Sequence, residues 1–163
     1  GQGFVPQERF RLLSAVPAPG HHWKLLDWME REYGAVIVAD TCCARWGEFD
    51  WDPSRPLLTL ARQWTATPLN RQMHAPISTA WLPDTVQDAR EHQVQGALYW
   101  AHIGCPQAGA SIRILKEALQ EQVGVPTLVL DIDVLDPSFV TEDELRDKLE
   151  GFFELLEERA AGS

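Results

Sequence analysis

Ala35-Val36-Ile37-Val38-Ala39 is an unbroken apolar run with β-branched residues at its centre, and it stops at Asp40-Thr41-Cys42-Cys43. A strand with one wet face alternates apolar and polar residues. A run without alternation reads as a strand covered on both faces, as in a parallel sheet. The sequence upstream agrees. Trp23, Leu26, Met29 and Tyr33 keep the period of an amphipathic helix over residues 22–33, and Gly34 stands where a left-handed C-cap is expected. Farther back, the apolar run Phe10 to Val16 is closed by the stop signal Pro17-Ala18-Pro19-Gly20.

Downstream the rhythm repeats. Residues 55–64 suggest a helix, in a stretch punctuated by Pro53, Pro56, Pro68 and Pro76, and Pro83-Asp84-Thr85 opens another through Gln93. Ala97-Leu98-Tyr99-Trp100-Ala101 is a third strand, ending at His102-Ile103-Gly104-Cys105-Pro106. A helix over residues 107–123 carries Ile112, Leu115, Leu119 and Val123 on one stripe, with Pro106 suited to a first helical position. Thr127-Leu128-Val129-Leu130 is the fourth strand, ending at Asp131-Ile132-Asp133. Thr141 and Glu144 form a capping box for a last helix that buries Leu145, Leu149, Phe152, Phe153 and Leu156. Gly1-Gln2-Gly3 and Ala160-Ala161-Gly162-Ser163 read as frayed ends. The alternation predicts an α/β fold: an open, mainly parallel sheet of about four strands flanked by helices, of flavodoxin or Rossmann type.

The 163 residues are one domain's worth of chain, and 45% hydrophobic with 23% charged residues is ordinary globular composition. A net charge of −10 repels phosphate backbones and anionic lipid, which argues against nucleic acid or membrane as the main partner. Residues 141–163 hold eight acids against three bases, half of that charge, and read as one solvated helix face. No apolar run approaches the roughly 20 residues of a membrane span, and no signal peptide is visible. Three cysteines are too few for a disulfide framework, so a reducing cytoplasm is the expected setting.

Open α/β sheets bind ligands at the carboxyl ends of their strands. The second strand delivers Cys42 and Cys43 to that edge, the third delivers His102 and Cys105, and the fourth delivers Asp131 and Asp133. Cysteines present only as small hydrophobes would scatter through the core. Cys105 also precedes a helix N-terminus, where N–H groups favour a negatively charged sulfur. Several chemistries fit this pattern. A zinc site of the three cysteines and His102 suffers from the adjacency of Cys42 and Cys43, which rarely both reach one tetrahedral ion. A vicinal disulfide, an iron–sulfur cluster held by two thiolates with outside ligands, and a cysteine hydrolase using His102 are the others.

Taken in order and spacing, Asp40 to Cys43, Gly96 to Cys105, Gly124-Val125-Pro126-Thr127 through Asp131-Ile132-Asp133-Val134-Leu135-Asp136-Pro137, and Glu144 to Glu154 resemble the 2-hydroxyacyl-CoA dehydratase family (D-component type), which includes the benzoyl-CoA reductase subunits. The resemblance runs from about residue 10 to residue 158. It implies that residues 1–163 are a single α/β domain, the C-terminal part of a larger subunit. It implies a [4Fe–4S] cluster held by three cysteines, with Cys105 one ligand, Cys43 (or its neighbour Cys42) a second, and the third on a preceding domain. It further implies an acyl-CoA substrate, one-electron ketyl radical chemistry in a dehydratase or reductase, a paired homologous subunit, and an ATP-hydrolysing iron–sulfur activator. His102 is the expected hydrogen-bond partner of sulfur or substrate.

Arg45, Arg62, Arg71 and Arg113 are the cations available to the phosphates of coenzyme A. Of the seven tryptophans, Trp23, Trp28 and Trp64 read as helix-packing anchors, and Trp46 and Trp51 as core rather than pocket wall. The rival from another class is a metal-free, non-catalytic binding or assembly domain, which gains if Cys42, Cys43 and Cys105 are all buried and far apart.

Overall fold

The computed structural model describes residue 5 and residues 7–162. Gly1-Gln2-Gly3 and Ser163 lie outside them. Four strands, β1 (Phe10–Ser14), β2 (Ala35–Asp40), β3 (Gly96–His102) and β4 (Thr127–Ile132), form one sheet in the order β2-β1-β3-β4, every neighbouring pair parallel. The helices are α1 (Trp23–Tyr33), α2 (Pro56–Ala66), α3 (Pro68–His74), α4 (Trp81–Glu91), α5 (Pro106–Val123) and α6 (Glu142–Ala161). The expected open, parallel α/β sheet is what the chain forms. α6 continues through Ala160 and Ala161, so the helix takes in two residues expected to fray.

Both faces of the sheet are dry, which is why its strands carry apolar runs. Leu12, Leu98, Trp100, Leu130 and Ile132 pack with Leu25 and Met29 of α1 and with Leu145, Leu149, Phe152 and Phe153 of α6. The alternate residues Leu13, Ala97, Tyr99 and Ala101 pack with Ala89 of α4 and with Ala108, Leu115 and Leu119 of α5. Gly96 admits α6: a Cβ there would meet Phe152 Cζ at 2.9 Å and Leu12 Cδ2 at 3.1 Å. Gly34 holds φ +60° as the α1 cap, and a Cβ would stand 2.0 Å from the Gln7 carbonyl oxygen, so no other residue fits.

Tryptophans depart from expectation. Trp28 packs against Tyr33 and Phe153 as anticipated. Trp23, Trp46, Trp51 and Trp64 are 59–67% exposed, whereas Trp81 and Trp100 are buried. Periodicity marks a face of α1 and α2 without showing whether anything lies against it. α3 is not anticipated by the sequence, because Pro68 reads as a break when it is in fact the first residue of a helix.

Candidate functional site

The strand order places the switch point between β1 and β3: the chain leaves β1 towards β2 on one side and later fills the other side with β3 and β4. Loops diverge there and leave a crevice at the carboxyl edge. A cleft of about 90 Å³ occupies this place, lined by Val16 and Pro17 after β1, Cys42 after β2, Cys105 after β3, Leu69, Gln72 and Met73 of α3, and Trp81 of α4.

Cys42 is buried, Cys43 exposed and Cys105 half-buried, and all three are free thiols. The turn after β2 explains the division. Asp40 Oδ1 accepts the Cys42 N–H at 2.8 Å, and the Asp40 carbonyl accepts the N–H groups of Cys43 at 3.0 Å and Ala44 at 2.9 Å. This tight turn puts one cysteine in the cleft and the next in solvent. Burial, with the Asp40 carboxylate adding, pushes the Cys42 thiol up to about 12, and the same causes raise Cys43. Burial likewise raises the Asp40 carboxyl, opposed by its bond from the Cys42 N–H.

Cys105 is the N-cap of α5, and its Sγ accepts the Ala108 N–H at 3.4 Å. Beneath the cleft, the Tyr99 hydroxyl hydrogen-bonds Ser111 Oγ at 2.7 Å and donates to the Ala108 carbonyl at 2.8 Å. Burial pushes Tyr99 up to about 12; the Ser111 bond opposes this, and negative charge on Cys105 and on Cys42 adds to it.

His102 stands apart. Alternation along β3 places it with Leu98 and Trp100, on the face opposite Tyr99 and Ala101. Its Nδ1 lies 4.0 Å from Asp133 Oδ1 and has no hydrogen-bond partner, and the ring does not line the thiol cleft. Among the described residues, no three His, Cys, Asp or Glu side chains gather as a metal-holding group, so the four-ligand zinc arrangement is not formed. What the chain brings together in the cleft is Cys42 and Cys105, two thiols from different strand ends. Three buried cysteines would have favoured the inert-thiol alternative, and only Cys42 is buried.

Two of the four candidate arginines are committed to structure. Arg45 pairs with Asp88 at 2.6 Å and with Glu91, and Arg71 pairs with Asp84 and donates to the Arg45 carbonyl at 3.3 Å. Arg113 lies near Glu117 at 3.8 Å on the exposed side of α5, and Arg62 borders a separate surface hollow with Gly47 and Phe49. Gln72 is not legible as a site residue in the sequence, because it lies on the unanticipated α3.

An open parallel sheet with thiols at its switch point defines a crevice-type α/β domain. The chain belongs to the 2-hydroxyglutaryl-CoA dehydratase D-component family, whose match covers residues 1–156. It is similar to one of the subunits of benzoyl-CoA reductase from Thauera aromatica, with 24% identity over 174 aligned residues that take in 99% of this chain and 37% of that protein. The chain therefore spans little more than a third of the curated relative that it matches. No helix among the described residues is long and apolar enough to cross a membrane.

Proposed function

We propose that this chain is the cluster-bearing domain of a subunit acting on an acyl-CoA thioester, as a 2-hydroxyacyl-CoA dehydratase or an aromatic acyl-CoA reductase in the cytoplasm. The observation that carries the reading is that Cys42 and Cys105, from two different strand ends, line one cleft at the switch point. Cys105 and one of the vicinal pair hold the [4Fe–4S] cluster. Cys42 is the better placed of the two, with Cys43 turned to solvent, and the remaining ligand comes from a domain beyond this chain. When bound, the cluster supplies low-potential one-electron chemistry for the thioester.

The chain's own residues hold, orient and exclude water. The Ala108 N–H steadies the Cys105 sulfur, and Val16, Leu69, Met73 and Trp81 keep the cleft apolar. His102 does not line the thiol cleft, and this reading gives it no role toward the sulfurs. A homologous paired subunit and an ATP-hydrolysing iron–sulfur activator complete the assembly in this reading.

The test is anaerobic loading with iron and sulfide of the complete subunit, including the domain that supplies the remaining ligand, followed by iron content and visible absorbance for the native chain and single cysteine variants. Cys105→Ala and Cys42→Ala are expected to lose iron, and Cys43→Ala to keep it. Equal iron in the native chain and Cys105→Ala overturns the proposal.

A further inference from the structure

Gln72 is 2% exposed, in a place where an apolar side chain would complete the packing. A buried amide is costly unless its groups are bonded. Here its Nε2 and Oε1 both have partners in the turn that carries Cys42. Gln72 Nε2 donates to the Thr41 carbonyl at 2.6 Å, and Oε1 faces Cys42 Sγ at 4.0 Å. The Gln72 backbone carbonyl accepts Gln107 Nε2 at 3.3 Å, and Gln107 lies in the first turn of the helix that Cys105 caps.

Thr41 is held from its other side as well. Its N–H donates to the Ser14 carbonyl at 3.0 Å and its hydroxyl to the Ala15 carbonyl at 2.9 Å. The peptide that carries Cys42 is therefore clamped between β1 and the Gln72 amide, and Gln107 ties the same helix to the Cys105 loop.

We infer that Gln72 is a positioning residue, which with Gln107 sets the spacing between the Cys42 and Cys105 sulfurs. The inference rests on the reading that these two thiols serve one metal group. It goes further by assigning their geometry to two side chains that ligate nothing. Outer partners of metal ligands typically change affinity by roughly 10- to 100-fold when removed.

Cadmium, a soft divalent ion that thiolates bind, reads this directly through its ultraviolet charge-transfer band. The native chain is expected to bind Cd²⁺ with a band lost in both Cys42→Ala and Cys105→Ala. Gln72→Met keeps the side-chain volume without the amide, and is expected to weaken the Cd²⁺ Kd by roughly tenfold. A destabilising variant remote from the cleft, Leu156→Val, leaves that Kd unchanged if positioning is the cause; weakening equal to that of Gln72→Met overturns the inference. A native Kd in Gln72→Met, with a band that still needs both cysteines, overturns the inference and leaves the two-thiol reading standing. A native band independent of Cys42 and Cys105 overturns that reading and the inference with it. Should Gln72→Met fail to fold, Gln107→Leu carries the test: a weaker Kd supports the inference, and an unchanged one overturns it.

Discussion

Cys42 and Cys43 are chemically identical neighbours that the fold treats oppositely. The turn after β2 points them apart, and contacts about thirty residues away then enclose Cys42 alone, with Gln72 and the rest of the cleft wall around it. Enclosure has a thermodynamic consequence. The Cys42 thiol is raised to about 12, chiefly by burial, so on alkaline titration the unfolded chain loses this proton before the folded one. A folded value above the unfolded one gives stability that is complete below the ordinary thiol range and lost as pH rises towards the folded value. One proton of this kind contributes a downward slope of up to about 1.4 kcal/mol per pH unit. Denaturant unfolding measured between neutral and strongly alkaline pH should show this slope, and Cys42→Ala should flatten it by about one proton's worth. Tyr99, also raised to about 12, keeps part of the slope in the variant. An alkaline limb as steep in Cys42→Ala as in the native chain would show that Cys42 titrates freely.

At the scale of elements, what is legible in the sequence is whatever depends on local pattern. The apolar runs place all four strands to within a residue or two, and Thr141 with Glu144 forms the expected capping box: Thr141 Oγ1 accepts the Glu144 N–H at 3.2 Å. Legibility fails where tertiary contact decides. Leu57, Leu60 and Trp64 fall on one stripe of α2, as they would on a helix packed to a core, yet all three are exposed. Only buried apolar area removed from water stabilises a fold, so this stripe contributes little to the chain's own stability. Trp64→Lys is expected to shift the unfolding free energy by no more than about 0.5 kcal/mol, the range of ordinary surface changes. A loss of several kcal/mol by chemical denaturation would show that Trp64 anchors the core after all. The vicinal cysteines are illegible for the same reason. Spacing brings both to the carboxyl edge, but the turn after β2 decides which sulfur faces inward, and the cleft it enters is walled by α3, a helix that local pattern does not announce.

The whole molecule gives the thiol edge its rigidity by spending cations on it. Arg45 follows the cysteine turn directly, and its guanidinium reaches α4, where Asp88 is only 1% exposed in its side chain. Arg71 of α3 meets Asp84 on the same helix and the Arg45 carbonyl, so the turn after β2, α3 and α4 are joined by one charged cluster behind the cleft. Burial pushes the Asp88 carboxyl up, and the Arg45 guanidinium opposes that shift. Replacing Arg45 by Met leaves a buried carboxylate without its partner, a change that costs about 3–5 kcal/mol where such pairs have been broken. The deficit has a pH signature. With Arg45 gone, the folded Asp88 value rises further above the unfolded one, so the neutral carboxyl is favoured in the fold. Stability is then retained at low pH and lost as pH rises through the raised value. Arg45→Met should accordingly be most destabilised at neutral and alkaline pH and recover towards the native chain as pH falls to the carboxylate range. A cation held free for substrate phosphate would behave otherwise: its removal would leave the unfolding free energy unchanged at every pH, and that result would return Arg45 to the ligand-binding surface.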